Sequence, residues 1–250
     1  MKIIKKTLPH TQKCTFAVII PHPVPQFKSL PSPNGSGFFI SPDGYFITAE
    51  HVIRGVNQDK ISLLRPNPYG SDDAVGNIKI EKTWSQFDLA LLKVDLKENK
   101  NKDFLKDKKG FDFLKIEFSV PDEGTPVYSF GYPLPKIEVF GNSAFMAAFQ
   151  SYYPRTTSLV ISSHYNVIAS MRGRRTFPKY YVVDKALNYG NSGGPIVLQE
   201  SGKVISVCIE FQPVDIPQSK DSKITIPSLY GITSSLKNIE VELRKIINKR

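Results

Sequence analysis

Cysteine is scarce: the chain has 2 in 250 residues. Cys14 and Cys208 lie too far apart in the sequence, and are too few, for a disulfide framework or a cysteine-based metal site. Long apolar runs are missing too, and no stretch approaches the ~20 residues of a membrane-spanning helix. The opening Met1-Lys2-Ile3-Ile4-Lys5-Lys6 has the basic start of an export signal. Pro9, His10 and Lys13 interrupt the next stretch, and Phe16 to Ile20 is too short for such a signal's apolar core. These absences together point to unpaired thiols in a reducing, cytoplasmic setting. Helical periodicity, internal repeats and low-complexity tracts are also missing from nearly the whole chain.

What is present has ordinary globular composition, 40% hydrophobic and 22% charged, over a length that suits one domain or two closely packed halves. Short stretches rich in Val, Ile, Phe and Tyr alternate with 16 Gly and 19 Pro, which predicts a mostly β protein. Gly35 to Ile40 and Tyr45 to Ala49 flank Ser41-Pro42-Asp43-Gly44 and predict a hairpin. Further strands are predicted at 61–64, 74–81, 89–94, 127–130, 158–162, 179–183, 195–197 and 204–211. Only at the end does a helical period emerge: Leu236, Ile239, Leu243, Ile246 and Ile247 share one face after the capping candidates Ser234 and Ser235.

The formal net charge is +10, which admits a nucleic-acid or membrane-surface reading. Its distribution speaks against one. The lysines of 97–109 are interleaved with Glu98, Asp103 and Asp107, as in a solvated linker, and Arg172, Arg174 and Arg175 mark a basic loop. Nucleic-acid binding is therefore not expected, and a steep salt dependence would be its signature.

The chemistry concentrates in three segments. Gly190-Asn191-Ser192-Gly193-Gly194-Pro195 offers a hydroxyl amid unobstructed backbone, which suits a nucleophile beside N–H groups that hold a developing oxyanion; a polar glycine-rich turn would read the same. Phe46 to Ile53 places His51 directly after a strand, and a lone histidine is more often structural. Phe87-Asp88-Leu89-Ala90-Leu91-Leu92 opens an apolar strand with a carboxylate that needs a partner if buried, or that simply caps a turn. His10, His22 and His164 lack such a context and read as structural or surface groups, and the two cysteines read as packing.

Together, and in the order His, Asp, Ser, these segments resemble the trypsin-like peptidase family, most closely its HtrA-like branch. The marks are Gly35-Ser36-Gly37-Phe38, Thr48-Ala49-Glu50-His51-Val52, Phe87 to Leu91, Val127-Tyr128-Ser129-Phe130-Gly131-Tyr132-Pro133, Asp184 to Pro195 and Tyr230-Gly231-Ile232. The resemblance implies an all-β fold: two six-stranded antiparallel β-barrels packed face to face, with the active site in the cleft between them, plus the C-terminal helix. Over 1–250 the expectation is a single peptidase domain. It divides into an N-terminal barrel at about 12–96, a linker at about 97–110, a second barrel at about 111–233 and a helix at about 235–249. HtrA-like members often add a PDZ domain; here the helix follows the peptidase region directly, so a peptidase domain alone is expected.

Carried over residue by residue, the resemblance makes Ser192 the nucleophile, His51 its general base and then acid, and Asp88 the group that orients His51. The N–H groups of Gly190 and Ser192 form the oxyanion hole, and peptide hydrolysis through an acyl-enzyme needs no cofactor or metal. Ala186 or Leu187 should lie at the base of the specificity pocket, with Ile209 to Phe211 as a wall. No acid falls at that base, so cleavage after small or medium apolar residues is expected. Glu210, if turned inward, could instead attract a basic residue. Asn191 replaces the aspartate that in digestive members pairs with a new N-terminal ammonium. The expected partners are thus a protein or peptide substrate and an activating protein, acidic enough to dock on Arg172, Arg174 and Arg175. The competing function is a catalytically silent trypsin-like binding or scaffold module, against which the intact triad speaks.

Overall fold

The computed structural model describes residues 4–21, 31–66, 72–97, 101, 105, 109–133, 136–142, 145–151, 153–166, 169–171, 174–176, 179–217 and 223–248. A helix, α1 (Ile4–Cys14), leads into β1 (Thr15–Pro21), β2 (Pro31–Phe39) and β3 (Tyr45–Ala49). The one-turn helix α2 (Glu50–Ile53) follows, then β4 (Ser62–Arg65), β5 (Asp73–Val75), β6 (Ile78–Trp84) and β7 (Leu89–Val94). These seven strands form one antiparallel sheet in the order β5-β4-β1-β2-β3-β7-β6. The run predicted at 74–81 is broken because Gly76 and Asn77, the latter at φ 51°, turn the chain between the two edge strands. The lobe is consequently a half-barrel whose edges are joined by two residues.

The second lobe contains β8 (Pro126–Gly131), β9 (Lys136–Asn142), β10 (Phe145–Ser151), β11 (Arg155–Asn166), β12 (Ala169–Met171), β13 (Arg174–Thr176), β14 (Lys179–Val183), β15 (Pro195–Leu198), β16 (Val204–Pro217) and β17 (Lys223–Ser235). Six of them close a barrel in the order β11-β14-β17-β16-β15-β8, while β9 with β10 and β12 with β13 form separate two-stranded ribbons. A 3-10 turn (Leu236–Ile239) and α3 (Glu240–Ile247) complete the described chain. The two-lobed β architecture with a terminal helix is the expected one.

Two expectations are corrected. Helical structure does occur before the end: in α1, Ile4, Leu8 and Thr11 lie four and three residues apart on one face, with Cys14 three further on. Half of that face is small or polar, and Pro9 sits inside the helix, so the apolar stripe is faint. The segment read as a solvated linker also has buried anchors. Leu105 enters the first lobe's core, and the buried Asn101 side chain donates to the carbonyls of Gly76 (2.9 Å) and Asp95 (2.6 Å) and accepts from the Gly76 N–H (3.1 Å). Asn101 thereby satisfies backbone groups at the link between the sheet's edges, which would otherwise be costly to bury.

One hydrophobic cluster joins the lobes. It includes Phe38, Ile47 and Leu91 from the first, Tyr128, Val197 and Val207 from the second, and Leu236, Ile239 and Leu243 from the terminal segment. Burial at ~1.5–3 kcal/mol per large aliphatic side chain is what holds α3, since an 8-residue helix is marginal by itself.

Candidate active site

β3 delivers its chain end into α2, so that His51 is the second residue of the helix. Asp88 follows the 3-10 turn Ser85–Phe87 in the left-handed region, at φ 52° and ψ 44°, which Asp tolerates better than most residues. That conformation presents both its main chain and its side chain to α2. The Asp88 carbonyl accepts from the Glu50 N–H (3.1 Å), Oδ1 from the His51 N–H (2.9 Å), and Oδ2 from His51 Nδ1 (2.5 Å). With the Nδ1 proton held there, Nε2 of the neutral ring is left as the acceptor. Arg54 approaches Asp88 Oδ1 at 3.6 Å and Glu50 Oε2 at 3.4 Å.

The turn between β14 and β15 carries Ser192. Gly190 there has φ 92°, and a Cβ on it would stand 2.5 Å from the Tyr132 carbonyl oxygen and 2.8 Å from Pro133 Cα. Gly193, at φ 84°, would meet the Ser36 carbonyl at 2.1 Å. Both contacts are with backbone, so only glycine fits. Ser36 of β2 reaches across from the other lobe to hold this turn. Its N–H donates to the Ser192 carbonyl (2.7 Å); its hydroxyl donates to the Gly190 carbonyl (2.6 Å) and accepts from the Tyr132 N–H (3.0 Å). Among the described residues the N–H groups of Gly190 and Ser192 have no hydrogen-bond partner, whereas those of Asn191, Gly193 and Gly194 are bonded within the protein. The Ser192 hydroxyl donates to the Ile209 carbonyl at 3.2 Å.

A cleft of about 670 Å³ brings His51, Asp88, Gly190 and Ser192 together. Leu187 and Ile209, the residues expected at the base and wall of a specificity pocket, line this cleft; Ala186 is half-buried and stands outside the lining. Phe211 belongs to β16, but its side chain lies outside the described residues, as do His22, Arg172 and the side chains of Arg174 and Arg175. Glu210 does line the cleft. Solvent reaches its side chain, yet desolvation, helped by the charge of Asp88 and opposed by that of His51, raises its pKa above the usual carboxylate value. Sequence reading missed Asn34, Arg54 and Tyr189 as lining residues. Arg54 was within reach of that reading: it follows His51 by three positions and Glu50 by four, which on one helical turn places it beside both. His10 and His164 are structural, bonded to the Phe113 (2.9 Å) and Pro121 (2.8 Å) carbonyls. Cys14 and Cys208 are buried and not in a disulfide.

Residues 35–207 match the trypsin-like peptidase domain model. The chain belongs to this family. Its relatives include a probable periplasmic serine endoprotease, DegP-like, of Pseudomonas savastanoi, 30% identical over 69% of this chain. Another is Protease Do-like 1, chloroplastic, of Arabidopsis thaliana, 26% identical over 83%. The chain spans only 28% and 40% of the length of these two. The fold is that of the HtrA-type protease AlgW, solved with a decapeptide: TM-score 0.59 at 18% identity, covering 98% of this chain and 68% of that one. The HtrA-like branch read from the motifs is thus the one in which the relatives lie.

Proposed function

We propose that this trypsin-like domain is a serine endopeptidase using Ser192, His51 and Asp88. The observation that carries the reading is the convergence, in one cleft, of the His51–Asp88 pair with a hydroxyl flanked by two unpartnered N–H groups. In this reading Ser192 Oγ attacks the substrate carbonyl as His51 Nε2 takes its proton, and Asp88 holds the ring and balances the imidazolium. The Gly190 and Ser192 N–H groups bind the oxyanion. Collapse releases the amine, protonated by His51, and water then hydrolyses the acyl-enzyme by the same steps. Leu187 and Ile209 on the cleft wall favour small or medium apolar residues at the cleaved position, with broad selectivity because methylene differences discriminate only ~10–200-fold.

The Ser192 hydroxyl must leave the Ile209 carbonyl to reach His51. That supports a weakly active resting form, which a partner ordering the surrounding loops would activate. The test is labelling by a fluorophosphonate, with the site located by mass spectrometry, alongside digestion of a peptide library. Labelling at Ser192 and cleavage after apolar residues are expected, and Ser192→Ala should lose ~10⁶-fold in turnover, as removal of the nucleophile does in another serine protease. Absence of Ser192 labelling in folded protein, with and without candidate partners, would overturn the assignment; turnover near ~10 s⁻¹ by the lone chain would remove the need for an activator.

A further inference from the structure

Among the described residues Glu210 is the one charge lining the cleft that has no ion-pair partner. The other charges lining the cleft have partners: Asp88 has His51 and Arg54, and Arg54 also has Glu50. Among the described residues Arg54 is the only lysine or arginine in the lining, and it is engaged by Asp88 and Glu50. Among the described residues Glu210 has no ion pair or hydrogen-bonded side chain, in a protein that carries ten more basic than acidic groups. A partly desolvated carboxylate without a counter-ion is costly, and a binding cation relieves that cost.

The backbone around Glu210 places it beside the bond to be cut. The pairing of β16 with β15 runs from Val204 to Val207 and ends there. After the shift in register at Ile209, Glu210 stands opposite Ile232 of β17, and among the described residues no strand covers the other edge of β16 there. Ile209 turns inward and its carbonyl takes the Ser192 hydroxyl; Glu210, one residue on, projects into the cleft. At ~3.3 Å per residue of extended chain, a substrate side chain that meets this carboxylate belongs to a residue close to the scissile bond.

We propose, building on the peptidase reading above, that Glu210 makes the cleft select peptides bearing a lysine or arginine within two residues of the cleaved position, beside the apolar residue held by Leu187 and Ile209. The carboxylate attracts the cation and rejects an acidic side chain at the same place. The groups facing it are His51, Asp88, Tyr180 and Arg54. Selection requires ionised Glu210. Because its pKa is raised, the preference fades on acidification at a higher pH than an ordinary glutamate would give.

Binding to the full chain carrying Ser192→Ala tests this without requiring turnover. Fluorescently labelled peptides would hold one apolar residue, with Lys, Gln or Glu placed in turn at each of the two positions on either side. At one of those positions the Lys peptide should bind about 5- to 10-fold tighter than the Gln peptide, a partly exposed charge-assisted contact, and the Glu peptide weaker than both. Adding Glu210→Gln should bring the Lys-to-Gln ratio within about 2-fold, and Glu210→Lys should make Glu the favoured side chain. Equal binding of all three peptides, a Lys preference that survives Glu210→Gln, or no binding at all would overturn the proposal. Fluorophosphonate labelling of the chain with Ser192 intact separates the two readings. Labelling without a charge preference sinks only the Glu210 selectivity, and a charge preference without labelling sinks only the peptidase chemistry.

Discussion

Asp88 combines two demands at one position: a left-handed backbone and a carboxylate that accepts from His51 twice. Asparagine satisfies the first as well as aspartate does but not the second, since an amide cannot balance an imidazolium. Asp88→Asn should therefore keep the fold, read as an unchanged melting curve, while peptide turnover at neutral pH falls about 10⁴-fold, as at the same role in another serine protease. A loss of less than tenfold would remove Asp88 from the mechanism. At this scale the sequence is most legible: Ser192, His51 and Asp88 each sit in a short motif, and the fold brings the three into one cleft. Arg54 was legible only through its spacing to Glu50 and His51, and Tyr189 not at all, since it enters the cleft through a loop conformation and is not a residue type that only catalysis explains.

Among the elements, strands announced themselves and α1 did not. β7 and β14 occupy the residues their short β-prone runs predict, whereas α1 docks through a mixed face, with Cys14 in the core, Ile4 and Leu8 packed against it, and a set of hydroxyls beside them. The Tyr128 hydroxyl meets Thr11 Oγ1 at 2.8 Å and Thr7 Oγ1 at 3.1 Å, and the Thr15 hydroxyl donates back to the Thr11 carbonyl at 2.8 Å. Tyr128→Phe leaves the buried Thr11 hydroxyl without its tyrosine partner, at a cost of about 1–3 kcal/mol. The cost should be local: amide hydrogen exchange across residues 4–14 accelerates while the barrel strands keep their protection. Uniform acceleration everywhere, or none, would mean that α1 is held by something other than this hydroxyl cluster. The strand break at Gly76 and Asn77 was likewise unreadable, because the Asn101 side chain that stabilises it comes from a segment whose composition looks like linker.

For the whole molecule, the lobes meet through a shared core and through Ser36, whose three bonds to Gly190, Ser192 and Tyr132 run from the first lobe into the second. Sequence motifs placed Ser36 in a recognisable segment but could not show that its hydroxyl holds the turn carrying Ser192. Ser36→Ala strands the Gly190 carbonyl and the Tyr132 N–H, destabilising by about 1–3 kcal/mol. The turn should loosen more than the fold. At a temperature where the variant is fully native, fluorophosphonate labelling of Ser192 is expected to slow at least tenfold; labelling at the wild-type rate would show that the turn needs no such tether.

The packing of α3 has an optical consequence. The protein has a single tryptophan, Trp84, buried at 2% exposure at the end of β6, four residues before Asp88, and its indole N–H donates to Glu242 Oε2 of α3 at 3.1 Å. All intrinsic tryptophan emission therefore comes from the seam between the terminal helix and the turn that supplies Asp88. Undocking of α3 exposes that indole to water and shifts its emission to the red, so an unlabelled sample reports on this one joint without interference from any other.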